Sequence, residues 1–215
     1  MTSTDFHPAT SPVGIMADSH GQARALSAGL SVLKRHGCET IYHLGDICDS
    51  TYPENNQSCL DIIREHNVLA IKGNNEHAIA VNLKDHQDDP QALLLASYLL
   101  RLPLVRSGEK AIFAHSLPFE KELGLSAMVR IMEPLAAELF FRMYPEHVLF
   151  RGHSHSPELV FPREGRAVIR SIPADEKIFL ADIRPCVVTC GALMDGLCLV
   201  WNPGEDWIRS ISCPF

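Results

Sequence analysis

Thr40-Ile41-Tyr42-His43-Leu44-Gly45-Asp46-Ile47-Cys48-Asp49 is an apolar run that ends in a polar turn. The apolar half reads as a buried strand. Asp46 falls just past its carboxyl end, where open α/β sheets place their ligands. Gly45 lets the backbone turn there and lets another group approach closely. One Gly-Asp pair says little, because aspartate commonly closes turns. Four other apolar runs, however, end the same way. Asp18-Ser19-His20-Gly21 follows Val13–Ala17, and Gly73-Asn74-Asn75-Glu76 follows Val68–Ile71. His115-Ser116 follows Ala111–Ala114, and Gly152-His153-Ser154-His155 follows His147–Phe150. Each run delivers Asp, Asn or His at its end.

Helical patterns separate the first three runs. Gln22–Arg35 spaces Ala25, Leu26, Leu30, Val32 and Leu33 near the helical period, and Gly37 follows as a stop. Leu60–Glu65 is a shorter helix. This strand–helix rhythm is that of a parallel α/β sheet. Glu76–Val81 begins another helix, Lys84–Pro90 is a polar break, and Gln91–Leu100 is an apolar helix. Leu104–Arg106 and Ala111–Ala114 flank a hairpin turn. Leu117–Leu125 reads as a loop that shapes the substrate side. Met128, Ile131, Met132, Leu135, Leu139 and Met143 read as one helical stripe, either core or partner surface. From Val148 onward the pattern is β. The expected fold is a four-layer αββα sandwich, with two mixed β-sheets packed together and helices on the outer faces. Residues 1–12 read as a flexible tail and residues 13–215 as a single domain.

The 215 residues are 46% hydrophobic and 21% charged, which is ordinary for a globular chain, and the net charge is −7. With no long Lys/Arg run, binding to a nucleic-acid backbone or an anionic membrane is not expected. Met1–Pro12 lacks the basic start and apolar centre of a signal peptide, and no apolar run reaches the ~18 residues of a membrane span. The seven cysteines are scattered without a CxxC pair. Together these features predict free thiols and a cytoplasmic location. Cys186 and Cys190 lie in an alternating strand pattern and read as buried core thiols.

The polar ends combine Asp18, His20, Asp46, Asn74, His115, His153 and His155. Carboxylate, amide and imidazole donors without thiolates suit borderline divalent ions such as Mn²⁺, Fe²⁺, Co²⁺, Ni²⁺ or Zn²⁺. On extended strands, Asp18 with His20 and His153 with His155 would each share a face. Seven donors exceed one ordinary site. They fit two sites if one carboxylate bridges, and paired metals about 3.5–4 Å apart commonly drive phosphoester cleavage.

The series Asp18-x-His20, Gly45-Asp46-x-x-Asp49, Gly73-Asn74, His115 and Gly152-His153-x-His155 resembles the calcineurin-like metallophosphoesterases, in the family's order. Val187–Gly191 is similar to the family's closing strand and glycine. Size and spacing most resemble its small bacterial and archaeal phosphodiesterases. The resemblance implies two divalent ions per chain, with Mn²⁺ favoured. Asp18, His20, Asp46 and His155 would hold one ion; Asp46, Asn74, His115 and His153 would hold the other. A hydroxide bridging the ions would attack phosphorus in line, with Asp46 and Asn74 the protein groups nearest the chemistry. Asp49 and His43 are candidates for supporting a ligand from behind, with helix capping and simple burial as their alternatives.

The chain departs from the family in one block. Many members carry a histidine after Gly-Asn that is proposed to protonate the leaving group; here the residue is Asn75. An amide has no useful pKa for that task. Leaving groups that need little protonation are therefore favoured, and His77 is the nearest other acid, though its helical position suits a solvent-facing histidine. The leading expectation is a dimetal phosphodiesterase acting on a small-molecule phosphoester. Alternatives are a phosphomonoesterase or nucleotide pyrophosphohydrolase on the same centre, and a scaffold that kept the fold without the chemistry. The methionine-rich helix and Trp207–Phe215 are candidate homo-oligomer surfaces.

Overall fold

The structure is a computed structural model that describes residues 11–84 and 88–215. The first ten residues of the expected tail, and residues 85–87 of the polar break, lie outside the described residues. Two six-stranded sheets pack face to face. The first contains β1 (Val13–Met16), β2 (Thr40–His43), β3 (Leu69–Ala70), β9 (Lys177–Phe179), β11 (Leu197–Asn202) and β12 (Trp207–Ser212), in the order β3-β2-β1-β11-β12-β9. The second contains β4 (Val105–Ser107), β5 (Ala111–Ala114), β6 (Val148–Arg151), β7 (Glu158–Arg163), β8 (Arg166–Ser171) and β10 (Cys186–Thr189), in the order β4-β5-β6-β10-β7-β8. Helices α1 (Ala23–Arg35), α2 (Asn56–Glu65), α3 (Asn74–Leu83), α4 (Pro90–Arg101), α5 (Glu120–Leu123) and α6 (Pro134–Met143) complete the fold. The four-layer sandwich read from the sequence is the observed architecture.

Strand alternation produces the layers. Val13 and Ile15 of β1, Ala111 and Phe113 of β5, Val148 and Phe150 of β6, and Cys186 and Val188 of β10 face the core between the sheets. Their neighbours Met16, Ile112, Leu149 and Val187 face outward, under the helices. Helices α1 to α3 and Leu99 of α4 cover the first sheet, and α6 covers the second. Strands buried on both faces read as continuous apolar runs, which is why they were visible in the sequence.

The parallel strands β1, β2 and β3 of one sheet, and β5, β6 and β10 of the other, place their carboxyl ends at one rim of the sandwich. Backbone bonds join the loops across this rim: Gly152 N–H donates to the His115 carbonyl and Leu193 N–H to the Ala17 carbonyl.

Several expectations need correction. Asn74 opens α3 rather than ending a strand, because Gly73 is the helix cap. The presumed loop 117–125 contains α5 and the start of a 3₁₀ turn, Gly124–Met128. The methionine stripe is broken: Met128 lies in that turn, Ile131 and Met132 precede the helix, and α6 begins only at Pro134. Glu133 is extended, as the residue before a proline tends to be. Within the Trp207–Phe215 segment, Phe215 is exposed and Trp207 is not. Trp207 is 6% exposed within β12, with the Lys177 ammonium 4.1 Å from its ring centre.

The centre of the inter-sheet core is aromatic. Phe113 stacks on Tyr42 at 4.0 Å and lies near Phe150 and Trp201. Phe113→Ala is expected to cost about 3–5 kcal/mol by cavity formation, measured by urea denaturation. A loss under about 1 kcal/mol would contradict this account of the core.

Candidate metal centre

The sequence-predicted donors meet at the shared rim. Asp18 and His20 follow β1, Asp46 follows β2, His115 follows β5, and His153 and His155 follow β6. Strand alternation does not align the i, i+2 pairs, as the sequence suggested. The strands end at Met16 and Arg151, and Asp18, His20, Asp46, His153 and His155 all have positive φ, between 43° and 70°. Left-handed backbone is uncommon for side-chain-bearing residues but most accessible to Asn, Asp and His. A turn at each of these donors swings both members of a pair toward one point. Such clustering of sparsely populated backbone is typical of functional sites.

The donor atoms crowd together. His20 Nε2 lies 3.3 Å from His155 Nε2, and His155 Nε2 lies 3.7 Å from Asp18 Oδ1. His115 Nε2 lies 3.0 Å from Asn74 Oδ1, 3.1 Å from His153 Nδ1 and 3.6 Å from Asp46 Oδ2. His20 Nε2 is 3.9 Å from Asp46 Oδ2. Donors bound at about 2.1 Å to one ion stand roughly 3.0–3.4 Å apart, so these spacings suit shared coordination. Among the described residues, two groups of donors fall within 4.8 Å: Asp18, His20 and His155, and Asp18, Asp46 and His115.

Protonation strengthens the case. His115 donates its Nδ1 proton to the Leu44 carbonyl at 2.8 Å. Burial pushes its pKa down to about 4, so the ring is neutral and Nε2 carries a lone pair. That lone pair faces the Asn74 carbonyl oxygen and His153, an arrangement of acceptors that suits a shared cation. Burial lowers the pKa values of both His153 and His155. Asp18 Oδ1 is buried and has no hydrogen-bond partner, while Oδ2 accepts from the His153 amide at 3.0 Å. Burial, then the charge of Asp46, raise the Asp18 pKa well above the carboxylate range. The residues therefore fit divalent cations: the orphaned Asp18 oxygen, the neutral His115 ring and two buried carboxylates point at one place.

A second layer holds these donors. Glu76 is fully buried and accepts from the amides of Asp46 and Gly73 at 2.8 Å and of Cys48 at 2.9 Å. Burial and Asp46 push its pKa up to about 7. Its spacing from the Gly73 cap follows a helix-start pattern, a signal the sequence reading did not use. His43 is buried and donates to Ser19 Oγ, which donates to the Ile47 carbonyl. Burial lowers the His43 pKa to about 3. His43 thus braces the turn between Asp18 and His20. Asp49 closes a local turn through the amides of Thr51 and Tyr52 and makes no hydrogen bond or ion pair with the clustered donors. His77 is half-buried on α3; burial, then the charges of Lys72 and Lys84, lower its pKa. Asp195, absent from the sequence reading, brings Oδ2 to 4.0 Å from His155 Nδ1.

Asn75 is fully engaged. Its amide N–H donates to Asp46 Oδ1 at 2.9 Å and Nδ2 donates to Asp46 Oδ2 at 2.8 Å. Its own Oδ1 accepts from the Ser50 amide and hydroxyl.

Residues 12–174 match the model of the calcineurin-like phosphoesterase superfamily domain, and the chain belongs to that superfamily. It is 27% identical over 195 residues to an uncharacterized protein of Methanocaldococcus jannaschii, covering 85% of this chain and 76% of that one. A metallophosphoesterase from Sphaerobacter thermophilus superposes with a TM-score of 0.76 at 20% identity, covering 96% of this chain and 89% of that one. A hypothetical protein from Pyrococcus horikoshii OT3 gives 0.60 at 17% identity, covering 95% and 88%. These two structures share the fold. No helix among the described residues is long and apolar enough to cross a membrane.

Gly73 shows how little space the site leaves. A Cβ there would fall on the Asp46 carboxylate and amide. Gly73 has φ −98° and an extended backbone, so alanine is opposed by contact alone. Divalent metal such as Mn²⁺ is expected to raise the melting temperature of the native protein, and Gly73→Ala to displace Asp46 and abolish that rise, while costing about 1–3 kcal/mol in chelator. Thermal melts with and without Mn²⁺ check this; an unchanged Mn²⁺-dependent rise would refute it.

Proposed function

We propose that this superfamily member is a dimetal-dependent phosphodiesterase acting on a small-molecule phosphoester. The observation that carries the reading is the convergence of Asp18, His20, Asp46, Asn74, His115, His153 and His155 from both sheets around Asp46. Asp18, His20, Asp46 and His155 would hold one ion, and Asp46, Asn74, His115 and His153 the other, with Mn²⁺ favoured. When bound, the ions supply a water nucleophile, by lowering its pKa from about 15.7 toward about 7, and positive charge for the phosphate oxygens.

The chain supplies ligand direction. The Leu44 carbonyl fixes the His115 tautomer, and Asn75 with Glu76 orient Asp46. Asn75 supports the choice of substrate class. Its amide is committed to Asp46 and Ser50 and offers no titratable proton for a departing oxygen. Leaving groups stable as anions, such as aryloxides, are favoured over alkoxides.

Metal-stripped protein resupplied with Mn²⁺ is expected to hydrolyse an aryl phosphodiester faster than the matching monoester. Monoester preference would instead favour a phosphomonoesterase. No hydrolysis of either, with two ions bound, would contradict the enzyme reading for these substrates. Asp46→Ala is expected to abolish turnover and weaken metal binding, and retained full activity would overturn the role of Asp46. Native kcat/KM is expected to fall steeply as leaving-group pKa rises across a diester series, and Asn75→His to flatten that slope. An identical slope in both proteins would show that position 75 does not limit protonation.

A further inference from the structure

Arg151 ends β6, immediately before Gly152-His153, and is only 2% exposed. Among the described residues it forms no ion pair. Burying a guanidinium without a carboxylate partner is costly unless its donors are satisfied. Here the donors reach three separate segments. Nε donates to the Ser116 carbonyl at 3.2 Å, and Nη2 to Ser116 Oγ at 3.1 Å. Nη1 donates to Ser154 Oγ at 3.0 Å and to Thr189 Oγ1 at 3.1 Å. Ser116 follows His115, and Ser154 stands between His153 and His155. Thr189 ends β10, whose following turn donates from Leu193 and Met194 to the carbonyls of Ala17 and Asp18.

The network continues one step further. Ser116 Oγ donates to the Arg130 carbonyl. One side chain thus reaches every donor-bearing loop of the second sheet. Bracing the sheet alone would not need this residue, since apolar Leu149 and Phe150 fill the preceding positions of β6. A planar fork with several fixed donors suits the task better than a flexible ammonium.

We propose that Arg151 is a positioning residue for the metal centre: its guanidinium locks the loops of His115, His153 and His155 into one geometry. This rests on the dimetal reading above. Linked polar networks of this kind act as a unit, and partners behind metal ligands typically govern about 10–100-fold in metal affinity.

The test uses the full chain, Mn²⁺ as probe, and three readouts besides turnover: manganese per chain after gel filtration, the EPR signal, and melting in chelator. Arg151→Lys keeps the charge and loses the fork; Ser116→Ala removes one hydroxyl of the network. The native protein is expected to bind two Mn²⁺ with a spin-coupled EPR signal. Both variants are expected to bind Mn²⁺ about 10–100-fold more weakly and to lose the coupled signal, while still melting cooperatively in chelator. If the native protein fails to bind two ions, the dimetal reading fails. If it binds two and both variants match its affinity and signal, the role of Arg151 is refuted. Should Arg151→Lys not fold, Ser116→Ala alone decides: a native-like signal refutes the proposal and a lost one supports it.

Discussion

Two carboxylates buried side by side dominate this structure. Asp18 is fully buried, Asp46 is 3% exposed, and buried Glu76 lies directly behind Asp46. Their charges repel in a setting where water cannot screen them well. Asp18 Oδ1 has no hydrogen-bond partner, burial keeps the His115 ring neutral, and among the described residues no Lys or Arg forms an ion pair with either carboxylate. A chain that folds this way stores an electrostatic demand, which divalent cations meet. The left-handed backbone at five donors adds strain, of order 1–3 kcal/mol at each such residue. The layered core around Phe113 and Trp201 holds that strain in place.

The fold, and the convergence of the candidate donors, were legible in the sequence for one shared reason. Strands buried on both faces must be apolar throughout, so β1, β2, β5, β6 and β10 stood out as runs. An Asp or His closely following β1, β2, β5 and β6, with Asn74 following the run at β3, marks one rim of the sheets. The geometry of that rim was not legible. Asp18 and His20 align because each residue turns left-handed, and pattern-reading assumes extended strands. The break before α6 was also missed: apolar spacing continues through Met128–Leu135, while Pro134 and its extended neighbour set the helix start.

The residues behind the donors were the hardest to read. Glu76 and Arg151 are charged, and charged residues are ordinarily exposed. Their burial depends on partners far apart in sequence: Glu76 binds the amides of Asp46 and Cys48, and Arg151 binds Ser116 and Thr189. No local pattern announces such pairings. The amide of Asn75 is plain in the sequence, but its grip on Asp46 emerges only from the fold. The contrast is physical. Donors sit at fixed offsets from strands and leave a periodic trace, whereas their supports are selected by three-dimensional proximity alone.

The measurement that reaches the central claim most directly is anomalous X-ray scattering at the manganese edge, from crystals of this protein soaked in Mn²⁺. Two anomalous peaks about 3.5–4 Å apart are expected, with the Asp46 carboxylate between them, one bounded by His20 and His155 and the other by Asn74, His115 and His153. A single peak, or two peaks that leave Asp46 outside both coordination spheres, would contradict that claim.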